Sequence, residues 1–236
     1  MAITKALILA AGDGKRMQPL SDTRNKSLMP VANKPILLRS LDALKEAGIS
    51  EVCVIINPES EVKAFLGTEQ NQLSLFFVEQ SEPLGTAHAI SMAKDKLTDD
   101  FLVLNGDDLC APEHLKNVIT SHKSKATVSV IKKENPQGLG IVEVENNIVT
   151  SIIEKPANSE GVHFVNIGIY AFSPEIFKII ETLERSPRGE YEITDAIQKI
   201  IKNNEPVSAV AADSWLPINY PWDLLAATKK FIDATP

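Results

Sequence analysis

The run Ala6-Leu7-Ile8-Leu9 passes without a polar break into Ala10-Ala11-Gly12-Asp13-Gly14-Lys15-Arg16-Met17, and this junction constrains the chain more than any other stretch. Apolar residues in succession, with no alternation, belong in a strand covered on both faces, which means a parallel sheet between helices. The small residues at 10, 11, 12 and 14 let backbone amides turn inward on an anion, because no bulky side chain blocks the approach and glycine accepts positive φ. Phosphate is the guest that suits such a loop. A plain tight turn is the alternative reading. Arg16 and Lys26 shift the balance, because they lie in a stretch with no apolar periodicity of its own. Lys26 reads as a loop cation with no partner in the core.

Two common phosphate loops do not fit. A dinucleotide-binding loop needs a third glycine, where this chain has Met17, and an acid after the second strand, where it has Ile55-Ile56-Asn57. A Walker A loop ends in Gly-Lys-Ser/Thr, and Gly14-Lys15-Arg16 does not.

Strand and helix signals then alternate. Leu37, Leu38, Leu41, Leu44 and Ala47 repeat at helical spacing between Pro35 and Gly48, Val52 to Ile56 is a second buried strand, 58 to 67 reads as a short helix, and Leu73 to Val78 is a third strand. This succession predicts right-handed crossovers in a parallel sheet. Gly85-Thr86 begins another helix, with Thr86 as its N-cap and His88 as a packing residue. Phe101 to Leu104 is a fourth strand running into Asn105-Gly106-Asp107-Asp108. A carboxylate at the end of a buried strand is costly to leave unpaired, so Asp107 needs a cation; Asp108 has two readings, a second acid beside it or a cap of the following turn.

Further on, 112–122 reads as a helix and 126–132 as a strand. Ile141 to Glu145 and Ile148 to Ile153 alternate around Asn146-Asn147, a hairpin pair suited to positive φ. Val165 to Phe172 and Val207 to Ala211 are strands, and 174–183 and 192–201 helices. An amphipathic helix follows Trp215 to Leu225.

With 236 residues, 44% hydrophobic and 23% charged, the composition suits one large α/β domain over 1–236. Its net charge of −7 argues against a general nucleic-acid binder. Cys53 and Cys110 fit neither a disulfide spacing nor a metal motif, and suit a reducing compartment. No run spans a bilayer and the Met1 end lacks a signal-peptide pattern, so a cytoplasmic protein without a membrane partner is expected.

Leu9-x-x-Gly12-x-Gly14-x-Arg16-Met17-x-Pro19, then Asn25-Lys26-x-Leu28-x-Pro30, resembles the signature of the sugar-1-phosphate nucleotidyltransferase family. The likeness is strongest to the pyrophosphorylase domain of glucose-1-phosphate thymidylyltransferases and N-acetylglucosamine-1-phosphate uridylyltransferases. Asn25 stands where the family usually has Pro. The resemblance implies a three-layer α/β/α fold with a mostly parallel twisted sheet and a small hairpin lobe. The nucleotide half would cover about 1–110 and the sugar-phosphate half about 111–236.

It also implies the reaction: a nucleoside triphosphate and a sugar 1-phosphate give a nucleotide sugar and pyrophosphate. Glucose or N-acetylglucosamine is the implied kind of sugar. Arg16, Lys26 and Asp107 would be catalytic. Leu9, Ala10, Ala11, Gly12, Asp13, Gly14, Gly85 and Thr86 would hold the nucleotide, with Gln80 reading a uracil or thymine edge through its donor and acceptor. Gly140, Glu154, Lys155, Asn166 and Gly168 would hold the sugar phosphate. Magnesium would sit on Asp107 and, through an amide oxygen, Asn219, because Pro217 occupies the place of the usual second carboxylate. Leu139 replaces a frequent Tyr, which leaves the sugar open. Mannose-1-phosphate guanylyltransferases share Glu82-Pro83-Leu84-Gly85-Thr86-Ala87, so guanine remains an alternative, as does a non-catalytic regulatory subunit. No hexapeptide repeats follow, so no β-helix is expected, and homo-oligomerisation is left open.

Overall fold

The computed structural model describes residues 3–233. At its centre is β1 (Lys5–Leu9), whose Ala6, Leu7 and Ile8 are fully buried. Three 3-10 turns follow, at Lys15–Met17, Leu20–Asp22 and Lys26–Leu28, then a short hairpin of β2 (Pro30–Val31) and β3 (Lys34–Pro35). Helix α1 (Ile36–Glu46) begins behind Pro35. Its Leu37, Leu41 and Leu44 have no exposed surface, and each contributes roughly 1.5–3 kcal/mol of apolar burial.

Strand β4 (Glu51–Ile56) comes next. The helix expected over 58–67 is confined to α2 (Val62–Leu66). The residues before it close a turn, Ser60 N–H donating to the Asn57 carbonyl at 3.0 Å. Then come β5 (Glu69–Gln70), β6 (Leu73–Glu79), α3 (Thr86–Ser91), β7 (Phe101–Asn105), β8 (Asp108–Leu109) and α4 (Pro112–Ser121).

The second half contributes β9 (Ala126–Glu134), the hairpin β10 (Ile141–Glu145) and β11 (Ile148–Ile153), and β12 (Val162–Phe172). Asn146 and Asn147 take φ of 51° and 62° at the hairpin turn. Helices α5 (Glu175–Ile180) and α6 (Ile193–Lys202), strands β13 (Val207–Ala211) and β14 (Leu216–Pro217), and α7 (Pro221–Asp233) complete the described chain. Helix α7 starts earlier than expected and takes in Trp222 to Leu225. Asp223 in its first turn reaches back to accept from Asn219 N–H at 2.7 Å and Tyr220 N–H at 2.8 Å, which satisfies amides otherwise orphaned at a helix start.

The main sheet runs β10-β11-β13-β9-β12-β7-β1-β4-β6-β5. Strands β7, β1, β4 and β6 are mutually parallel and form the doubly wound part. Beyond β7 the sheet is mixed, because β12 runs antiparallel to both β7 and β9 while β13 is parallel to β9.

Side chains alternate between two cores. Leu7, Cys53 and Val103 face one, with α3, α5 and α6; Ala6, Ile8, Val52 and Val54 face the other, with α1, α2 and α4. Covering both faces explains the unbroken apolar runs. A third, smaller cluster joins Met17, Met29, Val31 and Ile36 to Ile218 and Ala227. Burial pushes both thiols, Cys53 and Cys110, up to about 12, and neither is paired. Among the described residues no helix is long and apolar enough to cross a membrane.

Candidate active site

Sheet order reverses beside β1, since β4 lies on one side of it and β7 on the other. The loops leaving β1 and β7 therefore diverge, and ligands collect in the crevice that such a divergence opens. The opening is a cleft of about 750 Å³. Its walls bring together Leu9, Ala10, Ala11, Gly12, Asp13, Gly14, Arg16, Lys26, Gln80, Gly85, Thr86, Asp107, Gly140, Glu154, Lys155, Asn166, Gly168 and Asn219. Every residue that the sequence offered for catalysis or for nucleotide, sugar-phosphate or metal binding thus lines one cleft.

The first loop is pinned at its root. Ala10 N–H donates to the Ile55 carbonyl at 2.9 Å, and Gly106 N–H to the Leu9 carbonyl at 2.8 Å. A Cβ on Gly106 would lie 2.7 Å from that Leu9 oxygen, so only glycine lets the two loops touch. Downstream, Gly14 takes φ 63° and Met17 N–H closes back on its carbonyl at 2.8 Å. Between these anchors the N–H groups of Ala11, Gly12, Asp13 and Gly14 donate to no group among the described residues. Gly12 has nothing within 4 Å of where a Cβ would sit. This is an open row of amide donors, the arrangement that receives an anion.

Lys26 departs from the sequence reading. It is 9% exposed and its ammonium donates to the Asp107 carboxylate, so it is a paired, buried cation. Asn25 seats it. The Asn25 side-chain oxygen accepts from Ser27 N–H at 2.9 Å, its amide nitrogen donates to Ser60 Oγ at 3.3 Å, and its backbone N–H to Glu61 Oε1 at 3.2 Å. The Pro usual here could supply none of these. Arg16 is exposed, its guanidinium 5.7 Å from the Tyr220 ring centre, and Tyr220 stacks on Trp222 at 4.8 Å.

Asp108 is not the turn cap that the sequence suggested; its carboxylate faces back to Asn105. It lies in β8, opposite Pro217 of β14, and accepts from Asn105 Nδ2 at 2.9 Å. Burial first, and the neighbouring Asp107 charge second, push its carboxyl well above the usual range. Thr86 is likewise not an N-cap. Gly85 precedes the helix at φ 109°, and Thr86 Oγ1 accepts from Ile193 N–H at 3.0 Å, tying α3 to the start of α6.

Across the cleft, Glu154 Oε1 meets Lys155 Nζ at 3.4 Å and Arg188 at 3.5 Å, and Arg188 reaches Glu192 at 3.1 Å. Burial raises the Glu192 carboxyl and the Arg188 charge opposes it. Lys155 holds φ 42° immediately before Pro156, a conformation bulky residues rarely adopt. The Gly140 N–H has no partner among the described residues, while its carbonyl accepts from Asn166 N–H at 2.9 Å. Asn166 spends its side chain internally, donating to Tyr170 Oη at 2.6 Å and accepting from Gly168 N–H at 3.1 Å.

The sequence reading missed Arg188, Tyr170, Asn105 and the contact of His88 with Gln80 at 2.8 Å. Arg188 had a signal, a cation opening Arg188-Gly189-Glu190 in an acidic stretch. Tyr170 meets Asn166 across a register shift in β12, which no periodicity shows. Among the described residues no three acids, histidines or cysteines group into a metal site.

An open α/β sheet that offers free loop amides at its switch point, with cations around them, defines a nucleotide-binding protein of the mononucleotide type. The family model for nucleotidyl transferases matches residues 5–233. The chain belongs to the sugar-1-phosphate nucleotidyltransferase family.

It is 37% identical over 237 residues to the low-salt glycan biosynthesis nucleotidyltransferase Agl11 of Haloferax volcanii, covering 97% of this chain and 66% of that protein. It is 36% identical to the bifunctional protein GlmU of Methanococcus aeolicus, covering 94% of this chain and 53% of that one. The chain thus spans about half to two thirds of these relatives' length. A glucose-1-phosphate thymidylyltransferase of Streptomyces griseus is 32% identical, with 98% of this chain and 67% of that one covered. Among solved structures, a Bacillus anthracis protein named as a glucose-1-phosphate thymidylyltransferase, in complex with sucrose, superposes with TM-score 0.87 at 26% identity, covering 98% and 96% of the two chains. A UDP-glucose pyrophosphorylase complexed with UDP-glucose shares the fold, with TM-score 0.83 at 20% identity and coverage of 98% and 99%. The family uses a divalent metal for catalysis.

Proposed function

We propose that the chain transfers a nucleotidyl group from a nucleoside triphosphate to a sugar 1-phosphate and releases pyrophosphate. The observation that carries this reading is the row of unpartnered amides at Ala11 to Gly14 beside the Lys26–Asp107 pair. An oxygen of the sugar phosphate attacks the α-phosphorus in line, a new P–O bond forms, and the bond to the β-phosphate oxygen breaks. A phosphate monoester has its second pKa near ~6, so the nucleophile is already ionised at neutral pH and no general base is needed.

The loop amides bind the triphosphate alike in ground and transition states. Arg16 follows the leaving pyrophosphate, and Lys26 meets charge building on the α-phosphate while Asp107 holds it in register. Lys155 and the Gly140 amide receive the sugar phosphate. Glu154 accepts from sugar hydroxyls, with Asn166 and Gly168 shaping the floor. Gln80, Gly85 and Thr86 lie where the base would sit.

Magnesium suits the residues that remain. One Asp107 oxygen is taken by Lys26, the other is available, and the Asn219 side chain has no partner among the described residues. Magnesium keeps several waters and takes one or two protein ligands with substrate phosphates. When bound, it would neutralise charge on the α-phosphate oxygens. A screen of UTP, dTTP, GTP, ATP and CTP against glucose, N-acetylglucosamine and mannose 1-phosphates, read by pyrophosphate release, tests the proposal. Release with none of them, together with retained binding of a nucleotide sugar, would favour the regulatory reading for which Pro217 is the argument.

A further inference from the structure

Gln80 follows β6, is 7% exposed, and lines the cleft. Its amide nitrogen donates to the Gly85 carbonyl at 3.3 Å and lies 2.8 Å from His88 Nδ1. A carbonyl oxygen can only accept, so the atom facing Gly85 is the NH2 group. Nδ1 of His88 must then accept the second N–H, which requires a neutral ring with its proton on Nε2. Both donors of Gln80 are spent on the protein. Its carbonyl oxygen accepts from no group among the described residues and is not an enclosed atom. That oxygen is the polar group of Gln80 that the protein leaves for a ligand.

The backbone that carries the His88 ring is held in place. The residue sits in α3, where its carbonyl accepts from Ser91 Oγ at 2.7 Å and Met92 N–H at 3.3 Å. The Gly85 carbonyl is equally fixed, since Ala89 N–H donates to it at 3.1 Å. The sequence expectation that Gln80 offers a base both a donor and an acceptor therefore changes. The fold leaves it an acceptor alone.

We infer that His88 is a positioning residue for base selection: it locks the Gln80 amide so that a lone acceptor faces the base. This rests on the reading of the cleft as a nucleoside triphosphate site. A lone acceptor matches the ring N–H of uracil, thymine or guanine. It repels the ring nitrogen of cytosine or adenine, which is itself an acceptor. Gln80 thus sorts bases by the polarity of one ring nitrogen, and the choice of pyrimidine over guanine falls to other parts of the wall.

The matched pairs UTP/CTP and GTP/ATP differ in that polarity and share ribose and triphosphate. Ratios of kcat/KM within each pair, for the wild type and for His88→Leu, His88→Asn and Gln80→Ala, test the lock. His88→Leu removes the nearer of the two acceptors that hold the NH2 group, at 2.8 Å against 3.3 Å for the Gly85 carbonyl, and so loosens the amide; the ratio for the accepted nucleotide should fall by up to about tenfold, the discrimination of one hydrogen bond. His88→Asn, whose side-chain oxygen falls near Nδ1, should retain it. Nitrogen-15 shifts of the His88 ring in the wild type should show Nδ1 unprotonated and Nε2 protonated. If Gln80→Ala lowers the ratio while His88→Leu does not, or if Nδ1 carries the proton, the lock is overturned and base reading stands. An unchanged ratio in Gln80→Ala overturns base reading itself.

Discussion

Lys26 and Asp107 meet across the cleft floor as a hydrogen-bonded ion pair, the lysine side chain 10% exposed and the aspartate 32%. Removing Asp107 strands a buried ammonium, whereas removing Lys26 leaves a carboxylate that water can still reach. Asp107→Ala should therefore destabilise by about 1–3 kcal/mol, below the usual cost of breaking a fully buried pair, and Lys26→Met by less. Urea unfolding of both single variants and the double variant should give a coupling energy of about 1 kcal/mol. Additive losses would mean that the pair contributes nothing to the fold. Turnover should fall by at least about a hundredfold in Lys26→Met, because in the proposed reaction the cation meets developing charge.

Two glycines in the same loops should respond in opposite ways. Gly106→Ala drives a methyl group against the Leu9 carbonyl, a backbone atom that cannot swing away, and should lower stability by about 1–3 kcal/mol. Gly12→Ala meets nothing and should melt like the wild type. Its methyl group narrows the approach to the amide row, so the KM for the nucleotide should rise about tenfold or more. Equal melting of both variants would contradict the packing assigned to Gly106.

Asn25→Ala removes the acceptor for Ser27 N–H and should cost about 1 kcal/mol, as loss of a cap does. Asn25→Asp keeps that acceptor and should recover most of the stability and turnover. If the two variants behave alike in urea unfolding, the cap is not what seats Lys26.

Buried histidines give the fold a pH dependence of known sign. Burial lowers both His114 and His122, with Asp213 and Asp100 opposing. His114 packs against Ser129 Oγ at 3.0 Å, and His122 against Thr127 Oγ1 at 3.0 Å. The unfolded chain thus binds protons more readily than the native one just below the ordinary histidine value of 6.5. Their contribution is complete above about pH 6.5 and is lost as pH falls through the lowered native values. Unfolding free energies at pH 7.5 and 5.5 should show this loss, and it should shrink in a His114→Gln, His122→Gln double variant.

Asn219→Ala should raise the magnesium concentration that gives half-maximal rate, and Asp107→Ala should be far more damaged at every concentration. A magnesium titration with identical midpoints for wild type and Asn219→Ala would remove Asn219 from the metal.

The fold of the first half of the chain was legible because its physics is local. The runs at Leu7, Val52 and Val103 are buried on both faces, so each announced a parallel strand. The loop after Leu9 was marked by the size of its residues. What lay beyond β7 was not legible in the same way. Nothing near Val207 in the sequence tells that β13 inserts beside β9, and the reversal of β12 is set by the packing of the whole sheet. Lys26 looked solitary because its partner lies in another loop. Thr86 looked like a cap because its real partner, Ile193, belongs to a helix far along the chain. Errors of this kind concern polar groups whose bonds are made across the fold.

The third cluster has a consequence for synthesis. Met17, at the end of the amide loop, belongs to one buried cluster with Ile218 and Ala227, and Ala32 N–H is held by Thr228 Oγ1 at 3.1 Å. Arg39 lies 3.9 Å over the ring of Phe231. A growing chain emerging from the ribosome makes β1 and its loop first, yet the helix that steadies them is added only after nearly everything between has been translated. The nascent protein should therefore lack a steadied amide loop until α7 has cleared the exit tunnel.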